Sequence, residues 1–303
     1  MNKMYDVVII GGGVSGFGAA LYCGRFEMNT LVIAEKIGGT IMLTDEISNY
    51  PGFNRIKGIE LADRIRKHAE EYNINIIEDK VVSIEKLGDG FIVHTNKEKF
   101  HTRTIIFATG TKVRKLGVVG ENEFTNKGVH YCALCDGALY KDKVIGVVGG
   151  SDSAASEALL LAEYGKKVYI IYRRDKLRAE PINRRKVEMN KKIEVITNTN
   201  VTEIKGDKFV RSVILDRPYK GSKELKLDAL FIDIGHIPLS DLAKSIGVKI
   251  NEKGEIIIDR ESKTNIPGVF AAGDVVDTKF KQAITGVAEG VSAAYSAYEY
   301  LNK

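Results

Sequence analysis

Cysteine is scarce in this chain: three residues in 303 cannot staple a core, which excludes a disulfide framework and fits a reducing compartment. Proline is scarce too, five residues against thirty glycines, and no proline-rich or serine-rich linker divides the chain. No apolar run reaches the about eighteen residues that a membrane helix needs, because glycines and charges interrupt every candidate. A one-signed charge excess is also missing. Forty-five Lys and Arg stand against forty Asp and Glu, mixed along the sequence, and a net charge of +5 is too small and dispersed to argue for nucleic acid. What is present, 44% hydrophobic and 28% charged residues, is the composition of a globular enzyme with room for about two domains.

Lys3 followed by an apolar stretch to Leu21 has the look of a leader, yet Asp6 and the triplet Gly11, Gly12 and Gly13 interrupt it. Those residues fit a strand and a phosphate loop better, and the expected location is cytoplasmic. Tyr5 to Ile10 is a continuous, largely β-branched run that ends in glycines; a small-residue helix over Val14 to Arg25 and a strand over Thr30 to Ala34 follow. This is one βαβ unit with a buried parallel strand. The pattern recurs in a strand over Val144 to Val148, Gly149-Gly150, a helix to Tyr164 and a strand over Lys167 to Tyr172. Short strands such as Gly90 to Thr95 and Thr104 to Ala108 imply an α/β architecture with antiparallel additions.

The two glycine loops differ in chemistry. Gly11-x-Gly13-x-x-Gly16, with Ser15 inside it, joins a predicted strand to a predicted helix. The first glycine makes the tight turn, the second admits a pyrophosphate to the backbone, and the third lets helix pack on strand. Glu35, 24 residues after Gly11, is placed to accept hydrogen bonds from a ribose diol. In the second unit the residue 24 positions after Gly149 is Arg173, accompanied by Arg174 and Arg178. Guanidinium groups there suit the 2′-phosphate of NADPH, with a solvated basic face as the plainer alternative. The second loop reads Gly149-Gly150-Ser151-Asp152-Ser153-Ala154, so Ser151 stands where the pyrophosphate-facing glycine is expected and puts a Cβ in the cofactor's path.

Cys132 and Cys135, in Cys-Ala-Leu-Cys-Asp-Gly, lie within disulfide reach of each other, and such a motif can supply a thiolate nucleophile. A zinc site would need two more soft ligands, but the remaining cysteine, Cys23, is 109 residues from Cys132 inside a predicted helix, where it reads as a packing residue; no metal is expected. Asp136 reads either as a proton carrier for the opening and closing disulfide or as a turn carboxylate before Gly137.

Taken together, these motifs resemble the low-molecular-weight thioredoxin reductases over nearly the whole chain and in that family's order. To the glycine loops and the cysteine pair are added Gly38-Gly39, Asn49-Tyr50-Pro51-Gly52, Ala108-Thr109-Gly110, Tyr172-Arg173-Arg174, and Gly273-Asp274 followed by Gln282-Ala283. Three positions depart from the pattern: Thr40 where Gln is common, Lys281 where Arg is common, and Tyr172 where His is usual.

The resemblance implies two Rossmann-like domains of the three-layer ββα type, with the NAD(P)-binding domain inserted into the FAD-binding domain. By motif position the boundaries fall at 1–112 and 237–303 for FAD and at 113–236 for NADPH and the cysteine pair. It further implies that Asp274 meets the ribityl chain, that Gln282 and Ala283 lie near the isoalloxazine, and that Gly39, Thr40, Asn49, Ala108, Thr109, Gly110, Gly273 and Lys281 join the FAD site. Cys135 is then the sulfur nearer the flavin and Cys132 the one that exchanges with substrate, with Asp136 as acid and base. The expected protein is a homodimeric disulfide reductase that passes electrons from NADPH through FAD to thioredoxin or a similar protein. NADH or reduced ferredoxin as donor, and a non-catalytic flavin redox sensor, are the rival readings.

Overall fold

The computed structural model describes residues 4–44 and 46–303; Met1, Asn2, Lys3 and Asp45 lie outside the described residues, and so does the Lys3 start of the leader-like stretch. The chain divides into two compact units, Met1–Lys112 with Ile237–Lys303, and Val113–His236.

The first unit begins with β1 (Met4–Gly12), α1 (Val14–Arg25), β2 (Thr30–Ile37), α2 (Gly58–Glu70) and β3 (Ile74–Glu78). It continues through β4 (Val81–Leu87), β5 (Gly90–Thr95), β6 (Lys99–Phe107) and the short β7 (Thr111–Val113), where the chain leaves it. The sheet order is β3-β2-β1-β6-β5-β4, with the β1, β2, β3 and β6 pairings parallel and the β4-β5-β6 pairings antiparallel. Alternation along β1 explains the two cores. Val7 and Ile9 face α1 with Phe17, Ala20 and Cys23, while Val8 and Ile10 face the opposite side with Phe91, Val93 and Phe107. Each such side chain withdrawn from water contributes about 1.5–3 kcal/mol, so a strand buried on both faces is strongly held.

The second unit runs β8 (Val129–His130), α3 (Ala133–Asp136), β9 (Val144–Val148), α4 (Asp152–Tyr164), β10 (Lys167–Ile171), α5 (Pro181–Met189) and β11 (Ile193–Ile196). An antiparallel ribbon of β12 (Val201–Gly206), β13 (Val210–Tyr219) and β14 (Ser222–Lys226) precedes β15 (Ala229–Ile232). Its parallel sheet has the order β11-β10-β9-β15-β8. The chain re-enters the first unit through β16 (His236–Pro238), which pairs with β7, and ends with α6 (Asp241–Ser245), β17 (Val269–Ala271) and α7 (Ala283–Leu301). β17 lies parallel to the C-terminal half of β6, beyond the stretch that β5 pairs.

The two βαβ units stand where the sequence places them, with shifted ends. β2 runs on to Ile37, so Glu35 lies inside its last turn of pleat rather than at its tip, and β6 starts at Lys99 instead of Thr104 because β5 recruits its first residues. Among the described residues no helix is long and apolar enough to cross a membrane.

Candidate active site: two glycine cradles and a disulfide

In the first unit, the β1–α1 turn is set by contacts only glycine permits. Gly11 has φ +118°, and a Cβ there would stand 2.1 Å from the Ala108 carbonyl oxygen; one on Gly16 would stand 2.0 Å from the Gly11 oxygen. Gly13 is different: with φ −86°, its Cβ would meet nothing nearer than the Gly39 Cα at 3.7 Å. Protein packing therefore does not require glycine at Gly13, but a phosphate approaching the backbone does. Gly13 also N-caps α1 without bringing any side chain to the first-turn N–H groups, which stay available to an anion. These features fit the diphosphate of a dinucleotide.

Of the other residues expected for FAD, Gly39, Ala108 and Gly273 lie against this turn, and several others contact one another. Ser15 faces the loop after β17, where Gly273 leaves room for its hydroxyl, and Gly286 and Gly290 let α7 press against the first turns of α1. The Glu289 carboxylate accepts the Gly273 N–H at 2.8 Å and pairs with the Thr278 hydroxyl, which fixes the Gly273-Asp274 turn. Lys281 Nζ donates to the Asp274 carbonyl at 2.9 Å and to Glu255 at 2.5 Å. Gln282 N-caps α7 in a capping box with Thr285, and its Oε1 accepts from Asn49 Nδ2 at 3.0 Å, joining two residues 233 positions apart. Thr109 donates its hydroxyl to the Leu239 carbonyl at 2.7 Å, beside Gly110. Thr40 opens an exposed 3₁₀ turn after Gly39, and Ala283 opens α7. Glu35 stands apart from this group; it is exposed and 3.5 Å from Lys80 Nζ.

In the second unit the corresponding turn carries a side chain. Gly149 needs its φ of +156°, since a Cβ would strike the Asp233 carbonyl oxygen at 2.1 Å. Ser151 turns its Oγ inward to accept the Ala154 N–H at 3.3 Å as the α4 N-cap, while Ser153 sits exposed in the first turn. Arg173 and Arg174 are exposed after β10. Arg178 is steered by a residue the sequence marked only as a departure: the Tyr172 hydroxyl accepts from Arg178 Nε at 3.0 Å. Gly150 makes this possible, because a Cβ there would lie 2.4 Å from the Tyr172 ring.

Cys132 and Cys135 are joined as a disulfide, with their Cα atoms 5.3 Å apart. Cys132 N-caps the single-turn α3, and its sulfur accepts the Cys135 N–H at 3.1 Å. Within its unit Cys132 is buried and Cys135 exposed. Cys23 is buried in α1, and burial pushes its thiol up to about 12, so it is inert.

Sequence reasoning missed the groups behind the disulfide. Glu157, on α4, accepts the Ala133 N–H at 3.5 Å, and Asp233, just after β15, is buried. Burial, then the charge of Asp233, pushes Glu157 up to about 8; burial also raises Asp233, opposed by His236 and the Gly235 N–H. In the sequence both look like ordinary helix and strand-end carboxylates. A consequence can be measured. Folded protein holds the Glu157 proton to about pH 8 whereas the unfolded chain releases it in the usual carboxylate range, so stability falls as pH rises across that window. Glu157→Gln therefore melts higher than the parent above about pH 8, with the gap closing toward about pH 5. Parallel pH profiles of melting temperature for the two proteins would exclude this.

Residues 5–290 match the pyridine nucleotide-disulphide oxidoreductase family. The thioredoxin reductase of Listeria innocua is 40% identical over 305 residues, covering 100% of this chain and 95% of the relative. Among solved structures, Lactococcus lactis thioredoxin reductase superposes with a TM-score of 0.94 at 41% identity, over 98% of this chain and 99% of the other. The T. acidophilum thioredoxin reductase gives a TM-score of 0.94 at 37% identity, over 100% of both chains.

Proposed function

This chain belongs to the pyridine nucleotide-disulphide oxidoreductase family, and on that premise we propose that it is an FAD-dependent thioredoxin reductase drawing electrons from NADPH. The observation that carries the reading is the pairing, in one chain, of two separate glycine cradles with a disulfide closed inside a Cys-x-x-Cys turn. Bound FAD supplies the two-electron exchange that links a nicotinamide to a disulfide.

Gly11, Gly13 and Gly16 hold the FAD diphosphate at the α1 N-terminus, and Glu35 takes its ribose. Asp274, fixed through Lys281 and Glu289, serves the ribityl chain, while Gln282, Ala283 and Asn49 border the ring system. Gly149 and the α4 first turn receive the second diphosphate, and Arg173, Arg174 and Arg178 take the 2′-phosphate. Cys132 exchanges with the partner disulfide, and Cys135 is the sulfur that takes electrons from the flavin. Asp136 accepts and returns the thiol proton. The partner is thioredoxin or a protein like it, and the enzyme works as a cytoplasmic homodimer.

Steady-state kinetics with thioredoxin test the donor. NADPH sustains turnover, and Arg173→Ala combined with Arg174→Ala raises its KM at least about tenfold while leaving NADH kinetics unchanged, as expected for loss of two charge-assisted phosphate contacts. An equal effect on both nucleotides would refute the 2′-phosphate assignment. Turnover with reduced ferredoxin but not NADPH would favour the rival donor, consistent with the Ser151 side chain in the second cradle.

A further inference from the structure

His130 is almost fully buried, 4% exposed, in the two-residue strand β8, where its ring lies against Phe231 with centroids 5.3 Å apart. Its Nδ1 is 2.9 Å from Asp136 Oδ2, close enough for a ring N–H there to act on the carboxylate although it is not aligned as a hydrogen bond. Its Nε2 is 2.8 Å from the Tyr140 hydroxyl. A buried imidazole thus connects Asp136, the residue following Cys135, to the phenol of Tyr140 four residues further on, at the end of the 3₁₀ turn that follows α3. Nothing in the fold requires histidine here: β8 needs only an extended residue opposite Phe231.

We infer that His130 is a positioning residue for Asp136, with the Tyr140 hydroxyl donating to Nε2 so that the Nδ1 proton faces the carboxylate. This rests on the acid and base role given to Asp136 above. Tyr140 keeps its proton because burial, then the negative charges of Asp136 and Asp228, raise it above the usual phenol range. A phenol that stays protonated is a standing donor, and a neutral imidazole that accepts at one nitrogen carries its proton on the other. The titratable groups facing this chain are therefore Asp136 itself, His130 from β8, Tyr140 from the turn after α3, and Asp228 ahead of β15, which faces Tyr140. A donor facing a carboxylate favours its charged form, so removing that donor makes the carboxylate take up a proton more readily.

The test reads thiol–disulfide exchange without nucleotide or protein substrate. The holoenzyme is reduced with dithiothreitol, desalted anaerobically and mixed with an aromatic disulfide in a stopped-flow instrument across a range of pH. One cysteine sulfur, losing its proton to Asp136, attacks the reagent and expels one aromatic thiolate; the second cysteine then closes the Cys132–Cys135 bond and expels the other. The acid limb of the rate profile reports the proton transfer from sulfur to Asp136. His130→Gln, which keeps a group toward Tyr140 but none at the Nδ1 position, moves that acid limb up by about one pH unit, about a tenfold lower rate at a fixed acid pH. His130→Asn, whose amide N–H replaces Nδ1–H, leaves the limb where the parent has it. Tyr140→Phe, at the outer end of the chain, shifts it in the same direction as His130→Gln by less, and carries the test should the buried glutamine fail to fold.

An unmoved limb in folded His130→Gln, or in Tyr140→Phe, overturns the inference, as do equal shifts in the Asn and Gln variants. Asp136→Asn separates the two layers of argument. If it retains the acid limb, the role of Asp136 fails and the inference goes with it; if it loses the limb while His130→Gln keeps the parent profile, the inference alone fails.

Discussion

Replacing Cys132 or Cys135 with serine is expected to lower NADPH-driven reduction of thioredoxin by roughly three orders of magnitude or more, with the flavin still bound and still reducible. The hydroxyl keeps the size of the thiol but cannot form or break a sulfur–sulfur bond, so the loss is one of chemistry and not of binding. The disulfide closes at α3 and the proposed FAD cradle lies between β1 and α1, so the yellow colour should survive. The two variants also differ from each other. With Cys132 as the exchanging sulfur, Cys135→Ser accumulates a mixed disulfide with a partner and Cys132→Ser does not. Cys135 is the more exposed of the two within its unit, so trapping on Cys135 would reverse the assignment. Full turnover in either variant would remove the dithiol from the mechanism.

The second large effect separates two glycines of one motif. Gly11→Ala would force a left-handed φ of +118° on alanine and drive its Cβ to 2.1 Å from a backbone oxygen, an overlap that rigid backbone cannot relieve. A loss of at least about 2 kcal/mol of stability is expected, with little soluble flavoprotein. Gly13→Ala meets only Gly39 at 3.7 Å and should fold within about 1 kcal/mol of the parent. In the proposed FAD site its methyl would stand where the diphosphate approaches, so flavin affinity is expected to drop at least about tenfold, roughly 1.4 kcal/mol. Equilibrium unfolding and fluorimetric flavin titration measure the two quantities separately. Tight flavin binding by a folded Gly13→Ala protein would mean that the diphosphate lies elsewhere.

What could be read from the sequence follows from how local each signal is. β1 and β9 are legible because a β-branched run ending in glycine has few other ways to fold, and Gly11 and Gly149 mark turns whose φ excludes most residues. The cysteine pair is legible because a four-residue stretch suffices to define it. Tyr172 was visible as an oddity, but its meaning needs the third dimension: a ring over Gly150 and a hydroxyl on Arg178. The Asn49 to Gln282 hydrogen bond spans 233 residues and leaves no local trace. His130 lies in a strand too short for any periodicity, recruited to the sheet edge by β15. Glu157 and Asp233 carry no sign of burial in sequence, because charged side chains on a helix and at a strand end are ordinarily solvated. Local rules thus expose the cradles and the sulfur pair, while the groups that tune them depend on which elements tertiary packing brings together.

One bound flavin and one sulfur couple exchange electrons within this protein. Anaerobic reductive titration of the purified yellow enzyme, followed by absorbance, addresses this exchange directly. Complete bleaching should consume about two two-electron equivalents per chain in the parent and about one in Cys135→Ser, since each couple holds one electron pair. Complete bleaching of the parent after a single equivalent, with both cysteines still oxidised, would contradict the account.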